Sequence, residues 1–599
     1  MNHDAPFTIR NTDRLGLALS GGGFRAALFH LGVLAKMAEL DLLRHVQMLS
    51  TVSGGSIIGA MYYLKVKQLL EHERTDGVIP STPGAYVKIV QELETEFLKG
   101  VQTNLRVRAL LNPIKNAKMF ISDDYSRSDR MSELYNETFY RPIQRPGKET
   151  LRDWLQDALS LKDCRDIFLK DLKIVPKGER PGFDVALHNR DAEHKIPVLN
   201  INATTLNSGD NWVFTASYVG VASSDLYPRI SFANPNDPGL SPEQNKKRAA
   251  ILNRLTLSDA VAASACVPAL FAPFAIHDLY GEKDVIELVD GGVFDNQGLT
   301  ALTDGKCTHI ICSDASGQLC HDRSPASGMA SVFMRSNDVL MKRVRDLIVR
   351  ELEMKEGGKT VDARFWHLRE GFGGTPYFRS FSPPPDSSDY NQTGADNGQI
   401  FLLSAIRTDL DAFADIEANA LMYDGYCLCD RFLNQSEGLK NPPSLPWGFY
   451  SVMTSPTLDS CRLTHCLAVG GDMFFKVFRL TDTKGKLLGA GLGLVVLLSI
   501  WAFVYEALTV YADRIQGALA APGWTAAVVV FGMAGWTLMK KLPHPVQHWQ
   551  KWLAEGVRTV RTGNVWGLVY PLAIVGSLVS IVAFFYLKVI NPRYLKLGR

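Results

Sequence analysis

Residues 15–55 read LGLALSGGGFRAALFHLGVLAKMAELDLLRHVQMLSTVSGG, and this stretch decides the fold class. Leu15–Leu19 is a short, wholly apolar run of the kind that forms a strand buried on both faces. It ends in Ser20-Gly21-Gly22-Gly23, a turn signal, and a helical pattern follows from Arg25 to Leu40. Val46–Val52 reads as a second strand, Ser53-Gly54-Gly55 as a second sharp turn, and Gly54–Leu70 as the next helix. Strand, glycine turn, helix, strand, turn, helix is the pattern of an α/β domain with a mostly parallel sheet.

Outward from this stretch, helices are expected at Tyr86–Leu98, Met329–Lys355 and Ile400–Leu421, and strands at Val198–Ala203, Ile286–Val289 and His309–Cys312. Pro383-Pro384-Pro385 marks a loop. The chain has 599 residues, 46% of them hydrophobic, which excludes wholesale disorder. Its 64 Lys and Arg stand against 62 Asp and Glu, so no global basic field exists to hold nucleic acid. Nine cysteines at irregular spacings argue for reduced thiols in a cytosolic setting. Cys427 and Cys429 lack the spacing and histidine partners of a zinc site, and neither a metal nor a cofactor is expected. The first residues, MNHDAPFTIRNTDR, contain no apolar segment that would read as a cleavable signal.

Three long apolar runs occur after residue 480, at Leu487–Tyr505, Ala518–Met539 and Val565–Leu587. Each is long enough for a hydrocarbon core of about 30 Å, so a multi-pass membrane region is expected. The domain expectation is 1–330 catalytic, 331–480 completing that part, and 481–599 membrane-embedded with about three spans. Basic residues before the first run and in the second connection put the large N-terminal part on the cytoplasmic face. An odd number of spans then puts the tail, with Lys588, Arg593, Lys596 and Arg599, on the opposite side.

Three small motifs carry the chemistry. Ser53 lies between a strand and a helix with Gly54 and Gly55 after it, as in a nucleophile elbow, although Thr51 stands where that motif has its first glycine. Gly21-Gly22-Gly23 can point successive N–H groups at one anion. It lacks the Lys-Ser/Thr of a phosphate loop, and the next strand ends in a hydroxyl rather than the acidic residue of a dinucleotide site. Asp290, in Val289-Asp290-Gly291-Gly292, is a carboxylate at a strand end that can accept a proton from a hydroxyl. Among the 13 histidines, His30, His45, His188 and His309 all lie outside glycine-flanked turns, which favours a Ser/Asp pair over a Ser/His/Asp triad.

Taken in order, Gly21-Gly22-Gly23-Phe24-Arg25, Ser53-Gly54-Gly55, Asn202-Ala203-Thr204, Ala263-Ser264-Ala265-Cys266-Val267-Pro268, Asp290-Gly291-Gly292 and Arg407-Thr408-Asp409-Leu410-Asp411 resemble the patatin-like phospholipase family. The resemblance implies a three-layer α/β/α fold and hydrolysis of lipid acyl esters. It makes Ser53 the nucleophile and Asp290 the general base. It places an oxyanion hole at Gly21-Gly22-Gly23-Phe24, through the amides of Gly22, Gly23 and Phe24, with Arg25 in support. Thr51, Gly54 and Gly55 complete the elbow. The expected partners are a membrane lipid as substrate and a bilayer held by the C-terminal helices. The competing expectations are a membrane scaffold that has kept the fold and lost the chemistry, and a triggered effector that degrades membranes.

Overall fold

The computed structural model describes residues 7, 9–71, 84–112, 115–116, 119, 125–144, 166–179, 182–268, 270–316, 324–358, 361–369, 398–434, 447–472, 476–480, 580 and 582–599. The chain divides into two units. One joins Met1–Leu319, Val339–Phe474 and Gly576–Arg599; the other joins Cys320–Asp338 and Phe475–Val575. Of the second, residues 324–338 and 476–480 are described. The site and its supports lie in the first.

A ten-stranded sheet runs through that first unit. Its strands are β1 (Leu15–Leu19), β2 (Val46–Val52), β3 (Val198–Thr205), β4 (Asn211–Phe214), β5 (Tyr218–Val221), β6 (Ile230–Ser231), β7 (Phe274–His277), β8 (Val285–Asp290), β9 (His309–Asp314) and β10 (Asp362–His367). Five of them, in the order β10-β9-β1-β2-β3, are parallel. The expected parallel sheet is therefore its central part, and β4 to β8 extend it with antiparallel pairings. β1 is buried at every residue. Gly16 and Ala18 face a cluster with Leu299, Leu302, Ile310, Cys312 and Leu352, so apolar side chains cover that face too. Continuous apolar strands follow from burial on both sides.

The helices that matter here are α1 (Gly23–Glu39), α2 (Gly54–Leu70), α3 (Ala85–Val101), α4 (Leu257–Ser264), α5 (Met329–Gly357), α6 (Gly398–Ala405), α7 (Asp415–Asn434) and α8 (Asn591–Leu597). α1 and α7 pack backbone to backbone: a methyl on Gly32 would fall 1.8 Å from the Met422 carbonyl oxygen, and one on Gly425 2.1 Å from that of Phe29. The helix expected at Ile400–Leu421 is two helices, α6 and α7, with an irregular segment between them. That segment bends because Arg407 turns inward to bind Asp411 and Glu417 instead of continuing a helical face.

The register of β3 brings two distant strand ends together. β2 runs parallel to β3 and its last residue, Val52, pairs with Asn202. β8 arrives antiparallel and its last residue, Asp290, pairs with Ala203, the next residue of β3. The two strands thus end facing each other, and the turns that follow them share one place.

The expectation of a multi-pass membrane protein is corrected. Among the described residues, no helix is long and apolar enough to cross a membrane. The three apolar runs lie outside the described residues except for the end of the third. That end is bonded to the unit that holds the sheet. Ser580 Oγ donates to the Leu110 carbonyl at 3.1 Å, and Asn591 Nδ2 to the Gln102 carbonyl at 3.0 Å. Main-chain and side-chain hydrogen bonds hold the tail against the same unit as Ser53, so the opposite-side placement that followed from an odd number of spans fails.

Candidate active site

The elbow is built at the β2–α2 turn. Ser53 has φ 50° and ψ −117°, a backbone state that L-residues rarely adopt and that marks stored strain. Its N–H donates to Ser264 Oγ at 2.9 Å. A chain of hydroxyls then runs away from it: Ser264 Oγ meets Ser56 Oγ at 2.9 Å, Ser56 Oγ donates to Thr51 Oγ1 at 3.0 Å, and Thr51 Oγ1 donates to the Asn200 carbonyl at 3.2 Å. The space expected of a glycine at position 51 is supplied from the helix instead. A methyl on Gly59 would fall 2.6 Å from Thr51 Cγ2, so the glycine at 59 makes room for the threonine.

The nest is built at the β1–α1 turn, with Gly22 at φ 138° and Gly23 at φ 59°. The two turns touch: a methyl on Gly54 would fall 2.0 Å from the Gly23 carbonyl oxygen, and one on Gly55 2.3 Å from that of Leu19. Not every amide of the expected oxyanion hole is open. Gly21 N–H donates to the Asn296 carbonyl at 3.0 Å, and Phe24 N–H to the Asp409 carbonyl at 3.3 Å. The amides of Gly22, Gly23 and Gly54 make no hydrogen bond to the described residues. Arg25 is buried and is spent on the main chain, donating to the carbonyls of Ser404, Ile406 and Ala315 at 2.8, 2.8 and 3.1 Å. It braces the nest from behind.

Asp290 closes the arrangement. Its N–H donates to the Cys266 carbonyl at 2.9 Å, and Gly291 N–H to the Ser264 carbonyl at 3.2 Å. Ser264 therefore holds the Ser53 backbone with its side chain and the Asp290 turn with its carbonyl. The sequence offered Ser264 only as part of a motif and gave no sign of this double role. Asp290 Oδ1 accepts the Gly292 N–H at 2.7 Å, while the buried Oδ2 has no aligned donor. Burial pushes the Asp290 carboxyl up to about 6, against the Ser53 hydroxyl beside it and the Gly292 N–H, which both pull it down. The Asn296 side-chain oxygen lies against both glycine turns, 2.3 and 2.4 Å from where methyls on Gly21 and Gly292 would sit.

His30, His45, His188 and His309 stand aside. His30 is fully buried, with Nε2 3.0 Å from the Ser20 carbonyl and Nδ1 2.9 Å from Ser313 Oγ. A carbonyl can only accept, so Nε2 carries the proton and Nδ1 accepts from Ser313. Both nitrogens are committed, and burial lowers the ring to about 4. His45 ends the 3-10 turn just before β2 and His309 begins β9, both at the ends remote from Ser53, and His188 lies by Glu179. Cys266 is a buried thiol donating to the Ala272 carbonyl at 2.8 Å, with its pKa pushed up to about 12 by burial.

Residues 17–82, which contain both turns, match the model of the Patatin family, described as patatin-like phospholipase. This segment is patatin-like. Among solved structures, the chain is similar to human GIVD cytosolic phospholipase A2 at 10% identity and a TM-score of 0.35, with 71% of this chain and 59% of that one covered. It is similar to the same enzyme in complex with methyl gamma-linolenyl fluorophosphonate and terbium chloride at 12% identity and a TM-score of 0.35, covering 72% and 60%. VipD from Legionella pneumophila aligns at 13% identity and a TM-score of 0.27, covering 72% and 68%. The chain thus spans about 60% of the length of the human phospholipase structures it matches. No curated protein matches.

Proposed function

We propose that the chain is a serine lipid acyl hydrolase in which Ser53 attacks the ester and Asp290 is the general base. The observation that carries this reading is the meeting of the strained Ser53 with a buried carboxyl raised to about 6, beneath two glycine turns. Desolvation makes Asp290 a better base than an ordinary carboxylate, and its pKa lies near a working pH. Asp290 Oδ2 takes the Ser53 proton, and Oγ adds to the acyl carbonyl. Negative charge on the carbonyl oxygen is met by the open amides of Gly22, Gly23 and Gly54 and by the N-terminal dipole of α2. This replaces the Gly22, Gly23 and Phe24 set with one whose donors are not already bonded. Asp290 then protonates the leaving alcohol, and water attacks the acyl-enzyme with Asp290 again as base.

The departure at Thr51 is the one feature of the elbow that favours a scaffold without chemistry, and Gly59 removes that support by fitting the threonine into the turn. The patatin-like match of residues 17–82 supports a lipid ester as substrate. The test compares wild type and Ser53→Ala on phospholipid vesicles and on a short water-soluble ester. Release of fatty acid by wild type and loss of it in the variant, by on the order of 10³-fold or more, is expected. Equal rates in the two proteins would refute catalysis by Ser53. Cleavage of the soluble ester alone would leave an esterase and remove the lipid.

A further inference from the structure

Residues 408–409 form the back of the nest. Gly23 has no side chain to fix it, and a methyl there would fall 2.8 Å from the Thr408 carbonyl carbon. The nest therefore rests on the backbone of residues 408–409, with Phe24 N–H bonded to the Asp409 carbonyl. This wall has no helix or strand of its own. It is held from within by Arg407, whose Nε donates to Asp411 at 2.5 Å, Nη1 to Glu417 at 2.9 Å and to the Gly470 carbonyl at 2.7 Å, and Nη2 to the Ala412 carbonyl at 2.7 Å. Arg407, Asp411 and Glu417 are all buried, so each charge depends on its partners. Arg106 pairs with Asp409 and reaches Asp411 at 3.7 Å.

Glu417 is where the tail enters. One of its oxygens binds Arg407; the other accepts the Ala414 N–H at 2.8 Å and the hydroxyl of Tyr594. Tyr594 is seated by the rest of α8. Asn591 bonds to the Gln102 carbonyl and to Asn104, the Gly598 carbonyl accepts the Ile416 N–H at 3.0 Å, and Arg462 binds the carbonyls of Leu597 and Arg599. A methyl on Gly598 would fall 2.1 Å from Ala414 Cβ, so the tail is in direct packing contact beside the wall.

We propose that Tyr594 is a positioning residue for the oxyanion nest, acting through Glu417 and Arg407 on the wall that carries the Phe24 N–H. The proposal rests on the hydrolase reading above. Removing the Tyr594 hydroxyl leaves a buried carboxylate short of a donor. The ion network relaxes, and the wall shifts under Gly23. Oxyanion donors act only at the transition state, so the loss falls on kcat.

The test is steady-state kinetics of the full chain for wild type, Tyr594→Phe, Arg407→Lys and Ser53→Ala, across pH, well below every melting temperature. Tyr594→Phe should lose roughly 10-fold in kcat, since a misplacement of 1 Å costs on the order of 100-fold. Its KM should stay near wild type, and the acid limb set by Asp290 should not move. Arg407→Lys should lose more; if it does not fold, Tyr594→Phe decides alone. An active wild type with an unaltered kcat in Tyr594→Phe overturns this proposal and leaves the hydrolase reading standing. A loss in Tyr594→Phe that moves the acid limb, or that follows the unfolded fraction, also overturns it. A wild type no faster than Ser53→Ala overturns both.

Discussion

The nest and the elbow are the same kind of turn, each joining a parallel strand to the helix that follows it, yet they place strain on different residues. In the nest, positive φ falls on Gly22 and Gly23, which carry no side chain and adopt it at little cost. In the elbow, it falls on Ser53, while Gly54 and Gly55 after it stay outside the positive-φ region. A turn that offers main-chain N–H groups can be made of glycine alone. A turn that offers a hydroxyl must put a Cβ where sterics oppose it, and the surroundings must hold it there. Ser264 on the Ser53 N–H and the Gly54–Gly23 contact do so.

The contact between the two turns is the harshest place to test that difference. Gly54→Ala puts a methyl on the Gly23 carbonyl, which is backbone and cannot rotate away. Both turns are forced apart at once, and the amides of Gly23 and Gly54 separate. Loss of a single oxyanion donor costs about 10²–10³ in kcat, and Gly54→Ala should reach at least that range. Stopped-assay kinetics on a soluble ester measures it. Retention of more than a tenth of wild-type kcat would show that the turns do not depend on touching.

The next test separates the elbow's acid from its strain. With Asp290 raised to about 6, its base form is lost as pH falls below that value, so kcat/KM should drop about tenfold per unit on an acid limb near 6. The same shift has a stability sign. The folded state holds the Asp290 proton more tightly than the unfolded chain, whose ordinary value is 3.8, so stability declines as pH rises from about 4 through 6. At pH 7 the cost is on the order of 2–3 kcal/mol, at about 1.4 kcal/mol per unit. Asp290→Asn should therefore be inactive yet more stable relative to wild type at pH 7 than at pH 4. Denaturant midpoints at the two pH values give the answer, and a gap that is the same at both would mean that Asp290 is not raised.

Much of both turns was legible because they are local. Leu15–Leu19 and Val46–Val52 are strands over the expected residues, and glycine positions announced the turns. The meeting of Ser53 with Asp290 was legible only as a guess from chemistry. It depends on β8 entering antiparallel beside β3, one residue beyond the end of β2, and no periodicity within β8 encodes its partner. The nest's back wall was misread as helix. Ile400–Leu421 has helical spacing on both sides of Arg407, but that residue's partners, Asp411, Glu417 and Gly470, decide the backbone between. The Phe24 N–H reads as an oxyanion donor for the same reason, since nothing near it in sequence reveals that Asp409 takes it. Thr51 reads as a defect because its compensation sits in the second turn of α2, at Gly59.

The smallest expected effect is also the most direct measure of the comparison. Ser53→Gly removes the Cβ from the strained position and should relieve about 1–3 kcal/mol. Glycine also loses more conformational entropy on folding, which takes back about 0.5–1 kcal/mol. The net is a gain of roughly 1 kcal/mol over Ser53→Ala, which keeps the Cβ and the strain while also lacking the hydroxyl. Both variants should be inactive, so the pair isolates the backbone from the chemistry. The mirror substitution, Gly23→Ala, adds a Cβ at φ 59° with 2.8 Å to the Thr408 carbonyl carbon, and it should lose stability. Guanidinium unfolding of the three variants should rank Ser53→Gly above Ser53→Ala above Gly23→Ala. If Ser53→Ala proves the more stable of the first two, the serine turn holds no strain. The hydroxyl would then be presented by ordinary packing, and the two turns would differ only in which atoms they expose.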